Sequence, residues 1–63
     1  MTFYIVRDKD GDLWLTNTKP LKNEDFETWS FDDLKYTIDI PNEWFPEVTW
    51  EDKEPAKFSV IKE

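Results

Sequence analysis

Sixty-three residues with 15 Asp and Glu against 8 Lys and Arg, and with neither Cys nor His, leave room for one small domain, residues 1–63, of formal charge −7. The anionic excess disfavours direct contact with nucleic-acid phosphates or anionic lipid heads. The missing Cys and His exclude disulfides, thiolate ligands and the usual neutral-pH proton shuttle. Aromatic side chains are 17% of the chain, including Trp14, Trp29, Trp44 and Trp50, which argues for a packed core over disorder. No apolar run approaches the roughly 18 residues of a membrane span, and Met1 to Val6 lacks the pattern of a secretion signal. The expectation is a cytoplasmic chain with no membrane contact.

Thr2 to Arg7 and Asp12 to Thr16 alternate with period two and are rich in β-branched, aromatic and Leu residues, so they read as paired strands. Between them, Asp8-Lys9-Asp10-Gly11 matches a type I turn followed by a left-handed glycine. That loop sets Asp8 opposite Asp12, Arg7 opposite Leu13 and Ile5 opposite Leu15. Phe3, Ile5, Leu13 and Leu15 then share one face, expected to be core, and Tyr4, Val6 and Trp14 share the other. Asn17 to Glu24, with Pro20, reads as a surface connection. Phe26 to Phe31 alternates imperfectly, with Trp29 and Phe31 on one side, and Asp32-Asp33 supplies a turn. Lys35 to Ile40 is the cleanest strand, with Tyr36, Ile38 and Ile40 pointing one way. Pro41 stops it, Asn42 can cap one helical turn over Glu43, Trp44 and Phe45, and Pro46 ends that turn. Glu47 to Pro55 reads as extended or looped, and Lys57 to Lys62 as a closing strand through Phe58, Val60 and Ile61.

These elements define an all-β fold. It is an antiparallel sheet of four or five strands, either open or closed as an SH3-like barrel, with one short helical turn near Asn42 to Phe45.

Asp8, Asp10 and Asp12 suggest calcium, but the sixth and twelfth positions of an EF-hand loop counted from Asp8 fall on Leu13 and Lys19, so a solvated hairpin turn is expected and no metal or cofactor. Ser30 and Ser59 have no His base, one Gly cannot build a phosphate loop, and so small a chain leaves little room for a cleft of about 300 Å³. A non-enzymatic protein is expected.

Charge is the more informative feature. Residues 24–54 hold eleven acids against Lys35 and Lys53, so the whole anionic excess lies there, interleaved with Phe26, Trp29, Phe31, Tyr36, Trp44, Phe45 and Trp50. The bland reading makes those rings core and the acids a solvated face. The sharper reading leaves Trp44 and Trp50 exposed in an acidic rim with Glu47, Glu51 and Asp52 as a docking site, because Trp is enriched among interface hot spots and loops carry function.

Asp10-Gly11-Asp12-Leu13-Trp14-Leu15 with Lys19-Pro20, and Phe45-Pro46-Glu47-Val48-Thr49-Trp50-Glu51-Asp52 with Glu54-Pro55, resemble small bacteriophage and mobile-element proteins of uncharacterised function. The resemblance implies a bacterial host cell and supplies no activity, cofactor or site residue. The expected function is a protein–protein interaction module, monomeric or weakly homo-oligomeric, for a partner with a basic surface. The rival is an acidic inhibitor that imitates nucleic acid in the groove of a host nuclease or other DNA-binding enzyme.

Overall fold

The computed structural model describes residues 1–32 and 34–60, with Lys35 as backbone alone. Among them are six strands: β1 (Thr2–Arg7), β2 (Leu13–Thr16), β3 (Leu21–Asn23), β4 (Thr28–Ser30), β5 (Thr37–Ile40) and β6 (Ala56–Ser59). β1, β2, β5 and β6 form one antiparallel sheet in the order β5-β2-β1-β6, and β3 and β4 form a separate hairpin. The fold is all-β, and the four-stranded sheet stays open rather than closing into a barrel.

The first hairpin forms where the turn chemistry places it. The Gly11 N–H donates to the Asp8 carbonyl at 3.0 Å and the Asp8 N–H to the Asp12 carbonyl at 2.9 Å, with Gly11 at φ 102°. Open space surrounds the Gly11 Cα, so the constraint there is the positive φ and not crowding. The register follows: Arg7 pairs with Leu13, Val6 with Trp14 and Ile5 with Leu15.

One sheet face carries the core. Ile5, Leu13 and Ile40 lie on it, and Val48 closes over them from the chain after β5, with Phe3, Leu15, Phe45, Ala56 and Phe58 packed around. The Phe58 ring stacks on Phe3 at 5.5 Å and meets Phe45 at 5.6 Å, which fixes β6 against β1. The opposite face is covered as well. Val6 and Thr16 are buried there, Trp14 packs on Phe31 at 6.0 Å, and the β3–β4 hairpin is tied on through Trp29.

Several local expectations shift. Asn17 to Glu24 is more than a connection, because Leu21 to Asn23 form β3 against β4, a pairing supported by tertiary ties to Trp29 and Lys22 and not by any alternation of its own. β5 begins at Thr37, since Leu34–Tyr36 makes one 3-10 turn. β6 spans Ala56–Ser59, and Ile61 and Lys62, like Asp33 of the Asp32-Asp33 turn, lie outside the described residues. At Asn42 to Phe45 the chain makes a hydrogen-bonded turn, Trp44 N–H to the Pro41 carbonyl at 3.0 Å. Phe45 at φ 50° then reverses the path before a helix can propagate.

The Thr18 hydroxyl is buried without a hydrogen-bond partner among the described residues. Replacing an unsatisfied buried donor by a methyl group of the same shape removes its desolvation cost. Thr18→Val is therefore expected to leave stability unchanged or raise it by up to about 1 kcal/mol, read from the urea midpoint. A loss greater than that would show that the hydroxyl is satisfied in solution.

Candidate functional site

The chain from Pro41 to Pro55 has no regular strand, yet it is held closely. Arg7, the sole arginine, shares the face of Phe3 and Ile5 at the end of β1 and points its guanidinium at this segment. Its five N–H groups meet five backbone carbonyls. Nε donates to Val48 at 2.7 Å, Nη1 to Gly11 at 2.8 Å and Asn42 at 2.9 Å, and Nη2 to Trp44 at 2.9 Å and Phe45 at 3.2 Å. A rigid planar fork with five donors matches that set as no other side chain does. Phe45 holds its left-handed backbone within this clamp, with its ring packed on Phe58. Strain of about 1–2 kcal/mol at a non-glycine residue is offset by those contacts.

The clamp holds Trp44 out from the surface. Its backbone is pinned on both sides, by the turn to Pro41 and by Arg7, while its side chain is 53% exposed. Glu43, Pro46 and Glu47 beside it are exposed too. The tip of the loop is thus an indole between two carboxylates on a fixed backbone.

The other expected anchor behaves differently. Trp50 is half-buried, and the Lys22 ammonium lies 4.2 Å from its ring while donating to the carbonyls of Trp50 and Asp52, the latter at 3.0 Å. One face of the ring is therefore covered by this chain's own cation. Asp52 is also turned inward. Its carboxylate accepts from the Thr49 N–H at 3.1 Å and the Thr49 hydroxyl at 3.4 Å, closing the 49–52 turn in the manner of a capping box. Glu51 is exposed on that turn. Of the five residues expected to dock, Trp44, Glu47 and Glu51 are displayed, whereas Trp50 and Asp52 serve the loop's own structure.

The residues missed from sequence are the two cations Arg7 and Lys22. Arg7 carried a signal, an arginine at core-face parity; Lys22 carried none, because β3 was not visible.

A second cluster lies at the tips of the two hairpins, next to the Arg7 clamp. Asp8 accepts from the Trp29 N–H and from Trp14 Nε1, each at 3.0 Å, and so joins the two hairpins. Lys9 pairs with Glu27 across the same tips, an exposed bridge worth little; Glu27 beside Lys9 holds that ammonium above its ordinary pKa. An open groove of about 370 Å³ runs between them, lined by Asp8, Lys9, Asp10, Phe26, Glu27 and Thr28, and another of about 450 Å³ opens on the sheet. Both are grooves open to solvent and not walled clefts. Among the described residues no group of three or more His, Cys, Asp or Glu is placed to hold a metal ion, and no helix is long and apolar enough to cross a membrane.

Burial pushes the Asp8 carboxyl above its ordinary 3.8, outweighing the two N–H donors that lower it, and Asp10 and Asp12 raise it further. The sign for stability follows from linkage. A carboxyl whose folded pKa lies above its unfolded one binds more protons in the fold, so its contribution improves as pH falls through the raised pKa toward 3.8. Measured by urea unfolding, the stability of the natural chain minus that of Asp8→Asn is expected to rise from pH 7 to pH 3.5. A flat or falling difference would contradict the assignment.

No protein-family model, curated protein or solved structure matches the chain.

Proposed function

We propose that this chain is a non-enzymatic protein–protein interaction module of phage or mobile-element origin, which docks a partner with a basic surface through Trp44 and the carboxylates around it. The observation that carries the reading is the arginine-clamped loop that presents Trp44. A tryptophan fixed before binding loses little freedom on docking and is the residue type that most often anchors an interface. Glu43 and Glu47 stand near the anchor in the sequence and Glu51 is exposed on the turn that follows, and their negative charge favours encounter with cationic surfaces.

The test is affinity capture from a bacterial host lysate, followed by kinetics with the captured protein. Trp44→Ala is expected to weaken binding at least tenfold while leaving the urea midpoint within about 0.5 kcal/mol of stability, as for surface changes generally. The association rate is expected to fall as salt rises. A partner that binds Trp44→Ala equally well, or at a salt-independent rate, would remove the proposal. Before any partner is known, acrylamide quenching gives a check: Trp44→Phe is expected to remove most of the quenchable indole emission, since Trp29 is buried and Trp14 and Trp50 are half-buried.

A further inference from the structure

The 41–55 segment is fastened at two ends by two different cations. Asn42, Trp44, Phe45 and Val48 give their carbonyls to Arg7 on β1, and Trp50 and Asp52 give theirs to Lys22 on β3. Backbone without a ladder must find its partners in this way or leave them to water. The two cations belong to different layers, since among the described residues no strand pairing joins the four-stranded sheet to the β3–β4 hairpin. The segment is therefore a strap between the layers. Val48 is in the core on one face of the sheet, and two residues later Trp50 lies under the ammonium of the hairpin that covers the opposite face.

Trp29 closes these contacts into a circuit. It stands opposite Lys22 in the β3–β4 register, with the Lys22 ammonium 5.8 Å from its ring, and its indole N–H donates to the Arg7 carbonyl at 3.1 Å. Arg7 in turn donates from Nε to Val48 at 2.7 Å. Between Val48 and the last carbonyl held by Lys22 lies only the turn that Thr49 and Asp52 close, with Asp52 N–H on the Thr49 carbonyl at 3.3 Å and Thr49 N–H on the Asp52 carboxylate at 3.1 Å.

We infer that the β3–β4 hairpin and the 41–55 strap open and close as one cooperative unit, so that the display of Trp44 depends on the seating of a hairpin on the other face of the sheet. If the hairpin lifts, Lys22 leaves the carbonyls of Trp50 and Asp52 and the Trp29 indole leaves Arg7, so the strap loses one fastener outright and a contact to the other. If the strap lifts, Lys22 loses both of its acceptors and the Trp50 ring. Opening at either end therefore breaks charge-assisted bonds that belong to the other, and these are the stronger kind. Coupling is reciprocal, so whatever binds Trp44 also tightens the hairpin. Only that last consequence rests on the docking role proposed for Trp44; the cooperative unit is a property of the free chain.

Native-state amide exchange of the full chain, followed by NMR in rising urea below the unfolding transition, tests this. The amides of Trp44, Val48 and Asp52, which bond the carbonyls of Pro41, Phe45 and Thr49, and that of Trp29, which bonds Asp8, are expected to converge on one opening free energy and one urea slope, both below those of the β1–β2 amides. Lys22→Met keeps an unbranched stem against the two tryptophans and removes the ammonium. It is expected to lower protection by about fivefold at Trp44, Val48 and Trp29 as well as at Asp52. Trp29→Phe alters no bond of the strap itself, yet it is expected to lower protection at Trp44 and Val48. Distinct opening free energies for Trp29 and Trp44 overturn the inference, as does a Lys22→Met loss confined to Asp52. A single free energy shared by every amide, β1–β2 included, overturns it too, because no separate unit then exists. All of these are read without a partner, so a docking role that fails in the capture experiment and a coupling that fails here are told apart.

Discussion

Arg7→Lys is expected to lower the free energy of unfolding by about 2–3 kcal/mol and to release the loop that carries Trp44. Five backbone carbonyls from Gly11, Asn42, Trp44, Phe45 and Val48 converge on one guanidinium. An ammonium brings three donors without the planar fork, so at least two of those carbonyls lose their partner. Hydrogen bonds to a charged group contribute about 1.5–3 kcal/mol each when buried; two of these five are exposed and three only part-buried, which brings the total down to the figure above. For a chain of this length, total stability is about 3–9 kcal/mol, so the loss is a large share of it. Two measurements check the claim. Urea unfolding followed by circular dichroism gives the stability, and amide exchange at Trp44 and Val48, whose N–H groups bond Pro41 and Phe45, reports the loop directly. Protection lost at those two amides before the strands exchange is the expected pattern. Unchanged exchange, or a stability change under about 0.5 kcal/mol, would mean that the turns hold the loop without Arg7.

The same residue shows how much of the molecule could be read from the sequence. The β1–β2 register was legible because one turn determines it: Asp8 and Gly11 fix the loop, and period two does the rest. With that register, Arg7 falls on the core face, where an arginine requires a set of acceptors. The sequence did not say which carbonyls would supply them, because Pro41 to Pro55 has no period. Neither Val48 as a core residue nor the anchor of the loop is therefore legible there. β3 was illegible for another reason. Leu21, Lys22 and Asn23 are too few to show alternation, Leu21 is exposed, and the pairing is held by contacts far along the chain. Missing β3 meant missing the ammonium over Trp50, and so Trp50 was grouped with Trp44 although only Trp44 is displayed. The excess of acid in residues 24–54 was visible at once, but composition does not distinguish Asp52, which closes a turn, from Glu47 and Glu51, which face solvent.

Trp29→Ala is expected to be the most damaging single truncation, costing about 3–5 kcal/mol and unfolding most of the chain at 25 °C. Trp29 is 4% exposed and joins the β3–β4 hairpin to the sheet at two points: its backbone N–H donates to Asp8 at 3.0 Å and its indole N–H to the Arg7 carbonyl at 3.1 Å. Alanine keeps the first bond and loses the second together with the ring, leaving a cavity on the face where Val6 and Thr16 are buried. Phenylalanine separates the two contributions. Trp29→Phe retains most of the packing and removes only the indole donor, so a loss of about 1–1.5 kcal/mol is expected, the worth of one neutral hydrogen bond. The ordering of tryptophans follows from burial alone: Trp29→Ala unfolds the chain, whereas Trp44→Ala is silent in stability and speaks only in binding. Urea titrations of the three variants at pH 7, with dispersion of amide resonances as a second readout, decide the point. If Trp29→Ala keeps its dispersion and its midpoint, the second hairpin is an appendage and the four-stranded sheet stands without it. If Trp29→Phe loses as much as alanine does, the bond to Arg7, and with it the alignment of the arginine clamp, matters more than the buried ring.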